Sequence, residues 1–389
     1  MKAILQLLSL STSLTTSLPA IGSPLQSSVV LKPITIARSL FRGLKFTVSS
    51  VDFFTTVEHD ANVTLRDGAT EQVQFFTDRP IKFNEDGSVV KFLSGGLEAQ
   101  PAELTMGRIS VHNAKVLPTG IAPPDELKEH GQENSATSIQ INDVYRNLDR
   151  FLDEIERTCN ESDAKKICIF IPGFCMSFDQ SIASAGALQK YSKIPVVLYS
   201  WPSQDSPFVW SYFADASCNE KSMSQNGSKI IDAIANRIGA EKVVLVGFSQ
   251  GAKLAVQYAV ERQSSAAGAD PFYAQIFSRA DQPQGDFQTN LPVILNNAKS
   301  TALFVSRNDH LLLVSGHLLH RRLFAANKRI GSVSYDKFVV PAEFEQALHL
   351  IDDSASNNKI TNHTFNARGI ANWLNSLNVL MLEEMTSNN

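Results

Sequence analysis

From residue 138 onward the chain alternates short unbroken apolar runs with stretches whose apolar residues recur every three or four positions. Val144, Leu148, Phe151, Leu152 and Ile155 share one face of a predicted helix. Ile167–Ile171 is continuously apolar and stops at Pro172 and Gly173, as expected of a strand buried on both faces. Residues 195–200 repeat that character, and Ile230, Ile231, Ile234 and Ile238 mark a helix ending near Gly239. Another apolar run, 242–247, leads into a helix-compatible segment, 250–263. Runs at 273–277, 301–305 and 347–351 read as further strands, and Ile370, Trp373, Leu374 and Leu377 as a last helix. Alternating strands and helices over 138–380 predict an α/β domain with a doubly wound, mostly parallel sheet.

Upstream the rhythm differs. Phe46-Thr47-Val48, Val73-Gln74-Phe75-Phe76, Val89-Val90-Lys91-Phe92 and Ile109-Ser110-Val111 are short β-type runs separated by Gly, Asp and Pro. Residues 30–117 therefore read as a smaller β-rich N-terminal region. Residues 118–137, with Pro118, Gly120, Pro123 and Pro124, read as a linker, and 1–29 as a tail.

Composition narrows the classes. With 389 residues, 43% hydrophobic and 19% charged, the chain is an ordinary globular one able to bury a large core. A net charge of −4 offers no basic field for nucleic acid. No run of about 18 apolar residues predicts a membrane span. Cys159, Cys168, Cys175 and Cys218 match neither a disulfide scaffold nor a metal-ligand spacing. No Asp or Glu precedes Asp52, and an apolar segment, residues 3–10, follows Lys2. That start is loosely signal-like and admits export, while its Ser-rich, acid-poor character also fits a transit peptide or a plain tail.

The chemistry concentrates at Gly247-Phe248-Ser249-Gln250-Gly251, a G-x-S-x-G placed between a strand and a helix. A serine at so sharp a turn is held with its hydroxyl exposed, and the flanking glycines let neighbouring backbone pass close by. Ser249 is thus a candidate nucleophile. Its partners should follow at the carboxyl ends of later strands, acid first and base second. Asp309, which follows the 301–305 run after a three-residue turn, is the candidate acid; its plainer reading is a cap for the helix starting near His310, and Asp281 is read as a loop residue lining the site. His363, after the last strand and before the last helix, is the candidate base. His59, His112 and His130 lie too early, His349 sits within a strand run, and His310, His317 and His320 fit a solvated helix face better than a metal site. An oxyanion would be met by the N–H of Gln250 and by that of Phe174 or Cys175, in the loop opened by Gly173. Cys175 pairs with no base and is set aside as a nucleophile.

Several blocks in order resemble the bacterial α/β-hydrolases catalogued as a domain of unknown function, an esterase- and lipase-like group. They are Ile169-Phe170-Ile171-Pro172-Gly173-Phe174; Tyr199-Ser200-Trp201-Pro202-Ser203 with Tyr212 and Asp215; the Gly247–Gly251 elbow; Val305-Ser306-Arg307-Asn308-Asp309; and Leu350-Ile351-Asp352 with Asn362-His363-Thr364-Phe365. The resemblance spans roughly residues 107–375 and implies the α/β-hydrolase fold, with acid and base at Asp309 and His363. Pro172 stands where the family has a histidine, Phe248 and Gln250 where it has His and Met, and Asn362 where it has glycine.

The expectation is a serine hydrolase that cleaves an ester-type bond (carboxylester, lipid or thioester) through Ser249, Asp309 and His363 and an acyl-enzyme. It calls for no metal or organic cofactor and for a small-molecule or lipid ester as substrate. The alternative is a catalytically inactive binding protein on a hydrolase scaffold, with recognition in the β-rich region. The 203–225 segment, with Phe208, Trp210, Tyr212 and Phe213, reads either as an acyl-facing wall or as a loop packed on the core.

Overall fold

The computed structural model describes residues 70–83, 89–93, 103–115, 137–204, 209–265, 269–316, 328–333, 344, 347–354 and 363–387. All of them belong to one compact unit, Phe53–Asn389. The 1–29 tail, the Phe46 run, the linker except Thr137, Phe208, and the histidines at 59, 130, 317 and 320 lie outside the described residues.

The strands in chain order are β1 (Thr70–Thr77), β2 (Ile81–Phe83), β3 (Val89–Phe92), β4 (Thr105–His112), β5 (Ser138–Tyr145), β6 (Ile167–Ile171), β7 (Val196–Ser200), β8 (Val243–Phe248), β9 (Ala274–Ser278), β10 (Thr301–Val305) and β11 (Leu348–Asp352). The helices are α1 (Leu148–Glu161), α2 (Phe178–Ser192), α3 (Val209–Ser222), α4 (Ser228–Ile238), α5 (Gln250–Ser265), α6 (Gln284–Thr289), α7 (Leu291–Asn296), α8 (His310–Val314) and α9 (Ala367–Ser387). A π turn, Met223–Gly227, joins α3 to α4.

Nine strands form one sheet in the order β11-β10-β9-β8-β6-β7-β1-β4-β5 among the described residues, and β2 and β3 form a separate hairpin. From β11 to β1 all neighbours run parallel, and β4 and β5 add antiparallel strands beyond β1. This is the doubly wound α/β-hydrolase architecture. Strands β1 and β4, from the β-rich region, are hydrogen-bonded into the same sheet as the rest.

The pleat divides the core. Ile167, Ile169, Ile171, Val243 and Leu245 face α1, α4 and α5, whereas Cys168, Phe170, Val244 and Val246 face α2 and α9. Both faces are covered, so these strands are apolar at every position, which is why they are conspicuous in the sequence. Two segments differ from the sequence reading. Val144 belongs to β5 and is 39% exposed, so the first helix begins at Leu148, capped by Asn147 Oδ1, which accepts from the Asp149 N–H at 2.7 Å. The 203–225 segment is mostly helix, α3, and not a loop.

Candidate active site

Order along the sheet reverses at β6, which lies between β7 and β8. Diverging connections leave a crevice beyond the carboxyl ends of such strands, where open α/β sheets bind ligands. The loop after β6 and the turn after β8 both open there, and they carry Phe174 and Ser249.

The turn is as tight as its glycines require. Ser249 has φ 54°, a left-handed conformation that a side chain adopts at a cost. A Cβ on Gly251 would lie 2.1 Å from the Ile171 carbonyl oxygen, and one on Gly247 would lie 2.5 Å from the Ala252 Cα. A side chain at either place would therefore force main chain apart at the strand-to-helix crossing. Backbone bonds hold the serine: its N–H donates to the Ser278 carbonyl at 2.9 Å, and its own carbonyl accepts from the Asp281 N–H at 3.0 Å.

Three of the sequence candidates converge. His363 Nε2 lies 2.7 Å from Ser249 Oγ, and His363 Nδ1 lies 2.7 Å from Asp309 Oδ2. A carboxylate accepts, so Nδ1 carries the hydrogen and Nε2 is left to accept from the serine hydroxyl. Asp309 also caps α8, its Oδ1 accepting from the Leu312 N–H at 3.1 Å, so one carboxylate both caps this helix and meets His363. Burial is nearly complete: Ser249 is 3% exposed, His363 9% and Asp309 0%. The Phe248 ring stacks on the imidazole with centroids 5.0 Å apart, and Phe365 backs Phe248.

Around these lies a set of buried groups that periodicity does not reveal. Arg279, with no exposure and φ 46°, sits one residue beyond β9. Its Nε and a terminal nitrogen donate to Asp353 Oδ2 at 3.0 and 2.8 Å, and its other terminal nitrogen is 4.0 Å from Asp309 Oδ2. Asp353 Oδ1 accepts from Asn366 Nδ2 at 2.6 Å, so the two ends of the segment bearing His363 are tied together and to Arg279. One buried cation thus sits between two buried carboxylates, offsetting their charge. Asp281 is also buried and takes Tyr212 Oη–H at 2.6 Å, Ser315 Oγ–H at 2.7 Å and an ion pair with Arg329 at 3.1 Å. Burial, and next the Asp281 carboxylate, push the Tyr212 phenol well up, so it remains a donor. The Tyr212 ring meets the half-buried Phe174 ring edge-on at 5.4 Å.

The loop from β6 to α2 also turns sharply, with Cys175 at φ 57°. The Cys175 N–H donates to Ser203 Oγ at 3.1 Å, which corrects the expectation that it points at an oxyanion: a buried amide has taken the nearest hydroxyl. The N–H groups of Phe174 and Gln250 donate to no protein acceptor among the described residues. Other histidines stand apart. His310 is exposed, His112 bonds Thr70 Oγ1 at 2.7 Å, and His349 packs on Trp373 with burial lowering its pKa. Among the described residues no three His, Cys, Asp or Glu side chains are grouped to hold a metal ion, and no helix is long and apolar enough to cross a membrane.

No curated protein matches the sequence. Among solved structures, an esterase/lipase from an uncultured bacterium is 12% identical and matches 66% of this chain and 99% of its own, with a TM-score of 0.28. A hyperthermophilic esterase from the archaeon Pyrobaculum calidifontis is 13% identical over 55% of this chain and 75% of its own, with a TM-score of 0.26. The family model described as alpha/beta hydrolase of unknown function (DUF900) matches residues 149–367, over half of the chain, and the protein belongs to that family.

Proposed function

We propose that the protein is a serine hydrolase of ester-type bonds, with Ser249 as nucleophile, His363 as general base and acid, and Asp309 as the group that orients the imidazole. The observation that carries this reading is the unbroken hydrogen-bonded chain from Ser249 Oγ through both ring nitrogens of His363 to Asp309, at 2.7 Å in each link. In the reaction Nε2 takes the hydroxyl proton as Oγ adds to the substrate carbonyl carbon. The Nδ1–H bond to Asp309 stabilises the imidazolium as it forms. The N–H groups of Phe174 and Gln250, on the two loops that meet beyond β6 and β8, receive the developing oxyanion. His363 then protonates the departing oxygen or sulfur, and water, deprotonated by the same nitrogen, releases the acid from Ser249. These steps use only the chain's own residues.

The test is labelling of the purified full chain with a fluorophosphonate probe, beside Ser249→Ala and His363→Ala. Wild type is expected to label and both variants to lose labelling. A screen of p-nitrophenyl esters of graded chain length then ranks acyl groups. A well-folded wild type that neither labels nor hydrolyses any ester would leave the inactive binding scaffold as the better reading.

A further inference from the structure

Helix α3 crosses the carboxyl edge of the sheet with an unusual face. Tyr212, Asp215, Asn219 and Ser222 are spaced by three, four and three residues, so they form one stripe along it. All four are buried, at 8%, 0%, 0% and 0% exposure. A helix normally docks through an apolar stripe. This one docks through polar groups, and each is bonded to a different loop of the candidate site or its rim. Tyr212 reaches Asp281, whose N–H holds the Ser249 carbonyl. Asp215 Oδ2 accepts from Ser203 Oγ at 2.8 Å, and the same Oγ accepts from the Cys175 N–H. Asn219 Nδ2 donates to Gln250 Oε1 at 2.8 Å. Ser222 Oγ donates to Asp78 Oδ2 at 2.6 Å.

We propose that Asp215 and Asn219 of α3 are positioning residues for the two halves of the oxyanion hole: Asp215 acts through Ser203 on the 173–175 loop, and Asn219 acts on Gln250. The proposal rests on the hydrolase reading above and names what aligns its donors.

The geometry supplies the reason. In the 173–175 loop the peptide N–H of Cys175 is fixed by Ser203 Oγ, and Ser203 Oγ–H is fixed by the Asp215 carboxylate. A hydroxyl that both accepts and donates has no rotational freedom left, so the left-handed Cys175 peptide is locked and with it the orientation of the Phe174 N–H before it. Arg79, 1% exposed, closes the loop from the other side by donating to the carbonyls of Met176 at 2.7 Å and Ser203 at 3.1 Å. On the second loop the tie is a single bond, from Asn219 Nδ2 to Gln250 Oε1: the other polar atoms of the two amides, Asn219 Oδ1 and Gln250 Nε2, are buried with no partner among the described residues. Removing the Asn219 amide therefore leaves the Gln250 side chain untethered. Donors aimed at an oxyanion act on the transition state, not on the bound ester, so misalignment lowers kcat and leaves KM near its starting value.

The experiment measures kcat and KM for the p-nitrophenyl ester that wild type cleaves fastest, and Ki for an aryl trifluoromethyl ketone, which Ser249 would convert reversibly to a tetrahedral oxyanion adduct. Ser203→Ala, Asp215→Asn and Asn219→Ala are compared with Glu220→Gln, which breaks the exposed α3–α5 ion pair of Glu220 with Lys253 at 2.6 Å. Each of the first three is expected to lower kcat by about 10- to 100-fold, with KM within about threefold and Ki rising in parallel. Glu220→Gln is expected to match wild type. Ser203→Ala, which deletes one oxygen, keeps the test open if Asp215→Asn fails to fold. Unchanged kcat in Ser203→Ala and Asn219→Ala overturns the proposal. So does a fall in kcat without a rise in Ki, or an equal fall in Glu220→Gln. A wild type that neither labels nor hydrolyses overturns the hydrolase reading as well, whereas an active wild type with active variants overturns the positioning role alone.

Discussion

At Asp78 the chain holds a carboxylate with no exposure beside Ser222 and Asn226, which donate to Oδ2, while Oδ1 is buried with no partner among the described residues. Desolvation raises its pKa, and the Ser222 and Asn226 bonds offset only part of that. In the window between the usual carboxylate value, about 4, and the raised one, the folded chain binds a proton that the unfolded chain has released. Stability from this group is therefore highest below that window, falls as pH rises through it, and stays reduced above it. Asp78→Asn keeps the shape and removes the charge. It is expected to raise Tm at pH 7 by about 2–4 °C, a gain that shrinks toward pH 4. Thermal melts of both proteins from pH 4 to 8 check this, and a gain independent of pH would refute it. Arg279 and Asp353 are likewise not legible in the sequence. A buried ion pair between residues 74 positions apart leaves no local pattern, and each residue alone reads as surface.

Among the described glycines, Gly251 in the first turn of α5 leaves the least room for a Cβ, which would lie 2.1 Å from the Ile171 oxygen at the end of β6. Alanine at Gly251 would force the ends of both apart, because the Ile171 and Pro172 oxygens in its way are main chain. Overpacking of that kind costs about 3 kcal/mol. Gly251→Ala is accordingly expected to lower the urea midpoint and to slow fluorophosphonate labelling, since β6 carries the loop with Phe174. Wild-type values for both would show that the crossing tolerates a methyl group. The elements differed in how well the sequence disclosed them. Strands β6 to β11 were legible because most are apolar throughout, and Ser249, Asp309 and His363 because motif and chain order nominate them. Strand β5 was blurred by Val144, an exposed strand residue that happens to continue the helical spacing of Leu148 and Phe151. Helix α3 was not legible as a docked helix at all. Its buried stripe is Tyr212, Asp215, Asn219 and Ser222, and a hydrophobicity pattern cannot register a face that packs through hydrogen bonds.

For the whole molecule, the family match begins at Asp149, yet the sheet does not. Strand β1 is interior, paired on one side with β4 and on the other with β7, and Val73, Phe75 and Phe76 are fully buried. A chain trimmed to residues 138–389 would leave β7, with Val196–Ser200 buried along its length, as an open edge. Unpaired apolar edges recruit other chains. Such a truncation is expected to be insoluble or to elute in the void volume on size exclusion, and a soluble monomer that still labels would show the region to be dispensable.

The interior place of β1 also sets a schedule for biosynthesis. Gln74 pairs with Val197, so the strand leaves the ribosome long before its neighbour does. At about 5–20 residues per second that interval is roughly 6–25 s. Pairing with β4 can shelter one side of β1 early, but its other side must wait for β7. During translation the β7-facing edge of β1, which carries Phe75 and Phe76, therefore stays unpaired until the sheet can close around it.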